Sequence, residues 1–158
     1  IPFSSPRPAK SILRCHTHPP DTMAPLTTLT PAEQAFAHET SGLRNLARQA
    51  YGEDGGAIHL AAFRASIARV LLQVCTAKRL ADEDNRRWLR RIEATQARLL
   101  DPEEAGKITF DELDSIHDLA AQRTDNLVWA SSLGHLYEDL KEMETAVCNG
   151  TYPLRIAH

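Results

Sequence analysis

Long apolar runs, disulfide-forming cysteines and a dominant charge are all missing from this sequence. No apolar stretch approaches the roughly 20 residues that a bilayer-crossing helix needs, so no membrane span is expected. Cys15, Cys75 and Cys148 form an odd set at unrelated spacings, which implies no disulfide framework. Cys75 follows Val70, Leu71, Leu72 and Val74 and reads as a buried free thiol. With no secretory signal in view, these features place the chain as soluble, intracellular and cytoplasmic. Asn149-Gly150-Thr151 matches a glycosylation sequon but reads as a helix end. A net charge of -3 gives no general attraction to nucleic acid. Period-2 alternation is absent, which removes sheet architectures. No glycine-rich phosphate loop, nucleophile elbow or Ser/His/Asp arrangement is visible, so a non-catalytic role is expected.

What remains is an all-α pattern. The apolar fraction of 42% and charged fraction of 25% are those of an ordinary globular protein, and 158 residues suit one domain. Residues 1–28 read as a disordered leader. Its first 22 residues hold five of the nine prolines and one acid, ahead of a natural start at Met23-Ala24-Pro25. Residues 29–150 read as a single helical domain of about five helices, and 151–158 as a tail.

Thr30-Pro31-Ala32-Glu33 is a capping box with proline at the first helical position, and it starts helix one. Phe36, Leu43, Leu46, Ala47 and Ala50 form its apolar face, and Gly52, Gly55 and Gly56 stop it. Phe63, Ile67, Val70, Leu71 and Val74 mark a second helix by their spacings of three and four. Asp82-Glu83-Asp84 opens a third, with Trp88, Leu89, Ile92 and Leu99 inward. Thr109-Phe110-Asp111-Glu112 caps a fourth, which pauses at Thr124-Asp125-Asn126. The fifth, 126–148, carries Trp129, Leu133, Leu136, Leu140, Met143 and Val147.

Asp101-Pro-Glu-Glu-Ala-Gly-Lys-Ile-Thr-Phe-Asp-Glu-Leu113 is the stretch richest in specific chemistry. Its carboxylates at Asp101, Glu103 and Glu112, with Thr109 between, have the spacing of hard oxygen ligands around one ion. The stretch resembles a calcium loop of the EF-hand type, in which Gly106 would fall at the sharp turn and Ile108 in the short pairing strand. Tyr51-Gly-Glu-Asp-Gly-Gly-Ala-Ile-His-Leu-Ala-Ala-Phe63 repeats the pattern 50 residues earlier, sharing Gly56/Gly106 and Ile58/Ile108. The pair resembles a degenerate EF-hand-like helix–loop–helix pair over about residues 30–122. The resemblance implies at most one weak calcium loop at 101–112, with Asp101, Glu103, Thr109 and Glu112 as ligands. Ala105 has no side-chain oxygen to offer, and Tyr51 and Ala62 disable the first loop. It also implies a two-stranded contact between Ile58 and Ile108, and a regulatory or protein-interaction role.

Other constellations have plainer readings beside the functional ones. Arg86, Arg87, Arg90, Arg91 and Arg98 make a basic stretch interrupted by Glu83, Asp84 and Glu93, without base-stacking aromatics. A solvated face, or a dock for the acidic residues, accounts for it better than nucleic acid. Residues 1–100 hold 14 basic and 9 acidic side chains, and 101–158 hold 4 and 12. Asp114/His117 and His135/Glu138 have metal-pair spacing on a helix but no facing pair, and Cys15-His16-Thr17-His18 lies in the leader. The alternative to the EF-hand-like reading is a plain helical bundle without metal. Such a bundle would bind a protein partner or homodimerise through helix 126–148.

Overall fold

From Ala57 to Leu100 the sequence contains neither glycine nor proline, and the chain follows one helix for all 44 residues. A computed structural model describes residues 28–152. The leader's residues 1–27, including Met23-Ala24-Pro25 and the Cys15–His18 cluster, and the tail beyond residue 152 lie outside the described residues. The described chain forms α1 (Pro31–Ala35), α2 (Ala37–Tyr51), α3 (Ala57–Leu100), α4 (Pro102–Ala105) and α5 (Phe110–Cys148). No strand occurs among these residues, so the fold is all-α.

The five helices are not the five that local signals suggest. Asp82-Glu83-Asp84 does not open a helix, because cations one turn away occupy its carboxylates. Lys78 Nζ donates to Asp82 at 2.8 Å, Arg79 to Glu83 at 2.9 Å, and Arg87 to Asp84 at 2.6 Å. Nor does α5 pause at Thr124-Asp125-Asn126. Thr124 Oγ1 bonds back to the Ala120 carbonyl, and Asn126 reaches across to α3, so neither caps a new start. Conversely, the expected first helix breaks at Phe36 (φ −102°, ψ 18°). There the Thr40 hydroxyl donates to the Phe36 and Ala37 carbonyls, a back-bond that bends helices.

α3 and α5 run antiparallel as one long hairpin, roughly 66 Å by 1.5 Å per residue. Three bonds fix their register from base to tip: Arg64 to the Val147 carbonyl, Asn126 to the Ala81 carbonyl, and Arg98 to Glu112. Along α5, Glu112, Ile116, Leu119, Arg123, Asn126, Ala130, Leu133, Tyr137, Leu140, Glu144 and Val147 alternate by four and three. All are buried or half-buried. That 3.5-residue period is the seam of an antiparallel coiled coil.

The hairpin has two unlike halves. At the base, α1 packs on α5 and α2 on α3, adding a third layer over the seam. Phe63, Leu43, Ile67, Leu133, Val70 and Val74 are fully enclosed there. Thr30 caps α1 as expected, and the Ala32 N–H that the cap leaves over donates to Ser132 Oγ at 2.8 Å. Tyr51, Phe63 and Tyr152 close the lower end with ring centroids 5.3–6.3 Å apart. Gly55 makes the α2–α3 turn, since a Cβ there would strike the Ala50 carbonyl. Gly150, at φ 69°, ends α5 with Thr151 N–H bonding the Ala146 carbonyl, so the sequon does form a helix end.

Beyond Ala81 and Asn126 neither α1 nor α2 packs on the hairpin, which has no third layer there among the described residues. Residues 81–100 of α3 and 110–126 of α5 form a two-helix stalk. Besides Ala81 itself, only Asn85 and Leu119 within it are buried.

By length and composition α3 is apolar enough to cross a membrane, with an 18-residue window of mean hydropathy 1.4. No continuous apolar run announces it in the sequence. Core positions Phe63, Ile67, Val70, Leu71 and Val74 supply part of its apolar content, and the exposed Ile58, Leu72 and several alanines supply much of the rest, so that 28% of the window is buried. Cys75, one position or about 100° round the helix from Val74, lies outside that core and is exposed.

Candidate functional site

The residues 101–112 form the tip of the hairpin, and their polar atoms are spent on the turn itself. Asp101 is the N-cap of α4, its Oδ1 accepting from the Glu103 N–H at 2.9 Å. Glu103 lies exposed in the single turn of α4, and Gly106 ends that turn. Thr109 caps α5, accepting from the Glu112 N–H at 3.2 Å, while Glu112 Oε2 accepts from the Thr109 N–H at 3.3 Å. The other oxygen of Glu112 takes Arg98 Nη1 at 2.7 Å. The Arg98 hydrogen bond, then the Thr109 N–H, hold the Glu112 carboxyl below the usual carboxylate range. Glu104 pairs with Lys107 at 2.6 Å and lies 3.8 Å from Arg98.

These residues do not fit a calcium loop. Asp101, Glu103, Thr109 and Glu112 are arranged as two helix caps rather than around a common centre. Among the described residues no three His, Cys, Asp or Glu side chains gather to hold a metal. The two loops of the suspected repeat are also far apart. Ile58 sits in the first turn of α3, 84% exposed, whereas Ile108 follows its far end. A helix of roughly 66 Å separates the loops, so the two isoleucines do not pair.

The stalk is the surface that stands out. At its tip Leu100 is 85% exposed, Phe110 86% and Leu99 44%, and Leu127 and Val128 are open at its root. Phe110 occupies the first turn of α5, where the capping box turns its ring outward. Arg86, Arg87, Arg90 and Arg91 are exposed on α3. On α5, Asp111, Asp114, Asp118 and Asp125 are exposed at intervals of three, four and seven, which sets them in one stripe. Local patterning shows the charges. That they flank the half of the hairpin on which neither α1 nor α2 packs was not visible, because it depends on where those helices dock along α3 and α5.

Other sequence candidates are dispersed. Asp114 and His117 are both exposed on α5, as are His135 and Glu138 on its lower half. The stripe Leu133, Leu136, Leu140 and Val147 packs in the domain's own core, as its span of under three heptads favours, and is not free as a seam for a second chain. A groove of about 240 Å³ lies between α1, α2 and α5, lined by Leu29, Leu43, Leu136 and Met143. Glu33, Arg44 and Asp139 reach it from three helices, but the Glu33 carboxylate already serves the α1 capping box. A second groove of about 230 Å³ between α2 and α3 is similarly small for a small-molecule site.

No family model, curated protein or solved structure matches this chain.

Proposed function

We propose that this chain is a non-catalytic protein-interaction module in which the three-layer base supplies stability and the two-helix stalk meets a protein partner. The observation that carries this reading is the exposure of Leu99, Leu100 and Phe110 at the tip of a stalk that, among the described residues, has no third layer. Ile58 and Leu72 are exposed on the base too, about four turns apart along α3, whereas Leu99, Leu100 and Phe110 gather where α3 ends and α5 begins. Large side chains turned to solvent at the tip lower the monomer's solubility and gain only when covered. No ion at 101–112 is required.

The test uses the full chain with a photo-crosslinking residue placed either at Arg90 on the stalk or at His38 on the base. Protein adducts are expected from the stalk position, and Leu100→Ser with Phe110→Ser should remove them without lowering the melting temperature. Equal adduct yields from both positions would overturn the reading.

A further inference from the structure

Charges on the stalk are complementary between its helices, yet they do not neutralise each other within the chain. Between residues 86 and 100, α3 carries five arginines and one glutamate, while α5 from 110 to 126 carries five acids and one arginine. The only ion pair joining α3 to α5 there is Arg98 with Glu112. Arg87 turns to Asp84 on its own helix. Among the described residues Arg86, Arg90 and Arg91 have no ion-pair partner, nor do Asp111, Asp114, Asp118 and Asp125. The geometric reason is that these residues point away from the seam, where a two-helix hairpin offers no neighbour.

A partner that covers both helices must therefore bring acid over α3 and base over α5. The stalk itself has that pattern. A two-fold axis that lays α3 of each copy across α5 of the other sets each arginine row on an aspartate row twice over. Trp88, on the α3 side of the stalk, remains only half-buried in the single chain and adds apolar cover. A stalk of about 30 Å by two helix diameters of about 10 Å approaches the ~800 Å² per partner of a standard interface.

We infer that the stalk docks a second copy of this chain through its arginine-rich α3 face and aspartate-rich α5 face. The inference rests on the interaction role proposed above and names the partner. It also relocates self-association from helix 126–148, whose apolar stripe is already used, to the outer half of the hairpin.

Sedimentation equilibrium of the full chain tests it, from the low to the high micromolar range and at low and high salt. One variant carries Arg87→Glu and Arg91→Glu, and a second carries Asp118→Lys and Asp125→Lys. The wild type is expected to dimerise, more weakly in high salt. Each variant alone should lose at least about tenfold in affinity, since it sets like charges face to face. An equimolar mixture of the two variants should recover the dimer, because each now complements the other. Circular dichroism melts of both variants show whether the fold is kept, and the mixture carries the test even where one is less stable. A wild type that stays monomeric throughout overturns the inference, as do variants that dimerise as tightly as wild type. If the wild type is monomeric while stalk crosslinks to another protein persist, the second copy is wrong and the interaction role stands. If both fail, both are wrong.

Discussion

Asn126 donates its side-chain amide to the Ala81 carbonyl oxygen at 2.8 Å, joining α5 to α3 where the third layer ends. One turn further into the stalk, Asn85 is only 6% exposed, and neither its Oδ1 nor its Nδ2 has a hydrogen-bond partner. Arg123, one turn before Asn126, likewise buries an unpartnered Nε. The junction between base and stalk is thus a polar layer, part satisfied and part not.

That difference predicts opposite effects for two asparagines. Asn126→Ala should destabilise by about 1 kcal/mol, the net worth of one hydrogen bond. Asn85→Leu should stabilise by about 1–2 kcal/mol, because it removes a desolvated amide from an apolar seam. Urea unfolding midpoints check both. A lower midpoint for Asn85→Leu would show that the amide is hydrogen-bonded in solution.

Ser132→Ala should cost about 1–3 kcal/mol, the penalty for leaving the buried Ala32 N–H without an acceptor. The effect should be local as well as global. Amide exchange in α1 should quicken more than exchange in the middle of α3, since Ser132 anchors the first turn of α1 directly.

Phe63→Ala should cost about 3–5 kcal/mol, as expected for a fully enclosed aromatic ring. Ile116→Ala, at a half-buried seam position of the stalk, should cost less than half as much. Denaturant titration of both variants gives the ratio. Similar losses at the two positions would mean that the stalk carries as much of the stability as the base.

Glu33 and Glu112 both have folded-state carboxyls held below the ordinary value of 4.5. For Glu33 the cause is first the Thr30 N–H and then its hydroxyl, and for Glu112 it is Arg98 and then the Thr109 N–H. A depressed folded value means that their stabilisation is present above about pH 4.5 and is lost as pH falls through the folded value. Wild-type melting temperature should drop in that acid window, and Glu112→Gln should flatten part of the drop. At neutral pH the cost of Glu112→Gln should be the same in millimolar calcium and in chelator, because Glu112 acts as a cap and ion-pair partner. A calcium-dependent rise in wild type that the variant loses would restore an ion site at 101–112.

Helix content and both capping boxes were legible in the sequence, since Thr30/Glu33 and Thr109/Glu112 act through neighbours three residues away. The core stripe was legible too: Leu43, Phe63, Ile67, Val70, Val74, Leu133 and Leu140 keep helical spacing and are buried. The breaks were misplaced for an identifiable reason. Asp82-Glu83-Asp84 has the composition of a helix start, and only the bonds to Lys78, Arg79 and Arg87 show these acids serving an unbroken helix. Cys75 looked buried because it borders Val74, yet one residue is 100° of helix and reverses its exposure.

By itself, the sequence determined what acts within a turn or two: helicity, caps, the glycine stops and the apolar stripe from Trp129 to Val147. The tertiary structure alone decided that α3 runs unbroken for 44 residues, that the two EF-hand-like stretches lie at its opposite ends, and that α1 and α2 pack on the base half of the hairpin. Those outcomes depend on how far one helix extends beside another. Such lengths follow from the summed packing of faces distant in sequence, which no local spacing encodes.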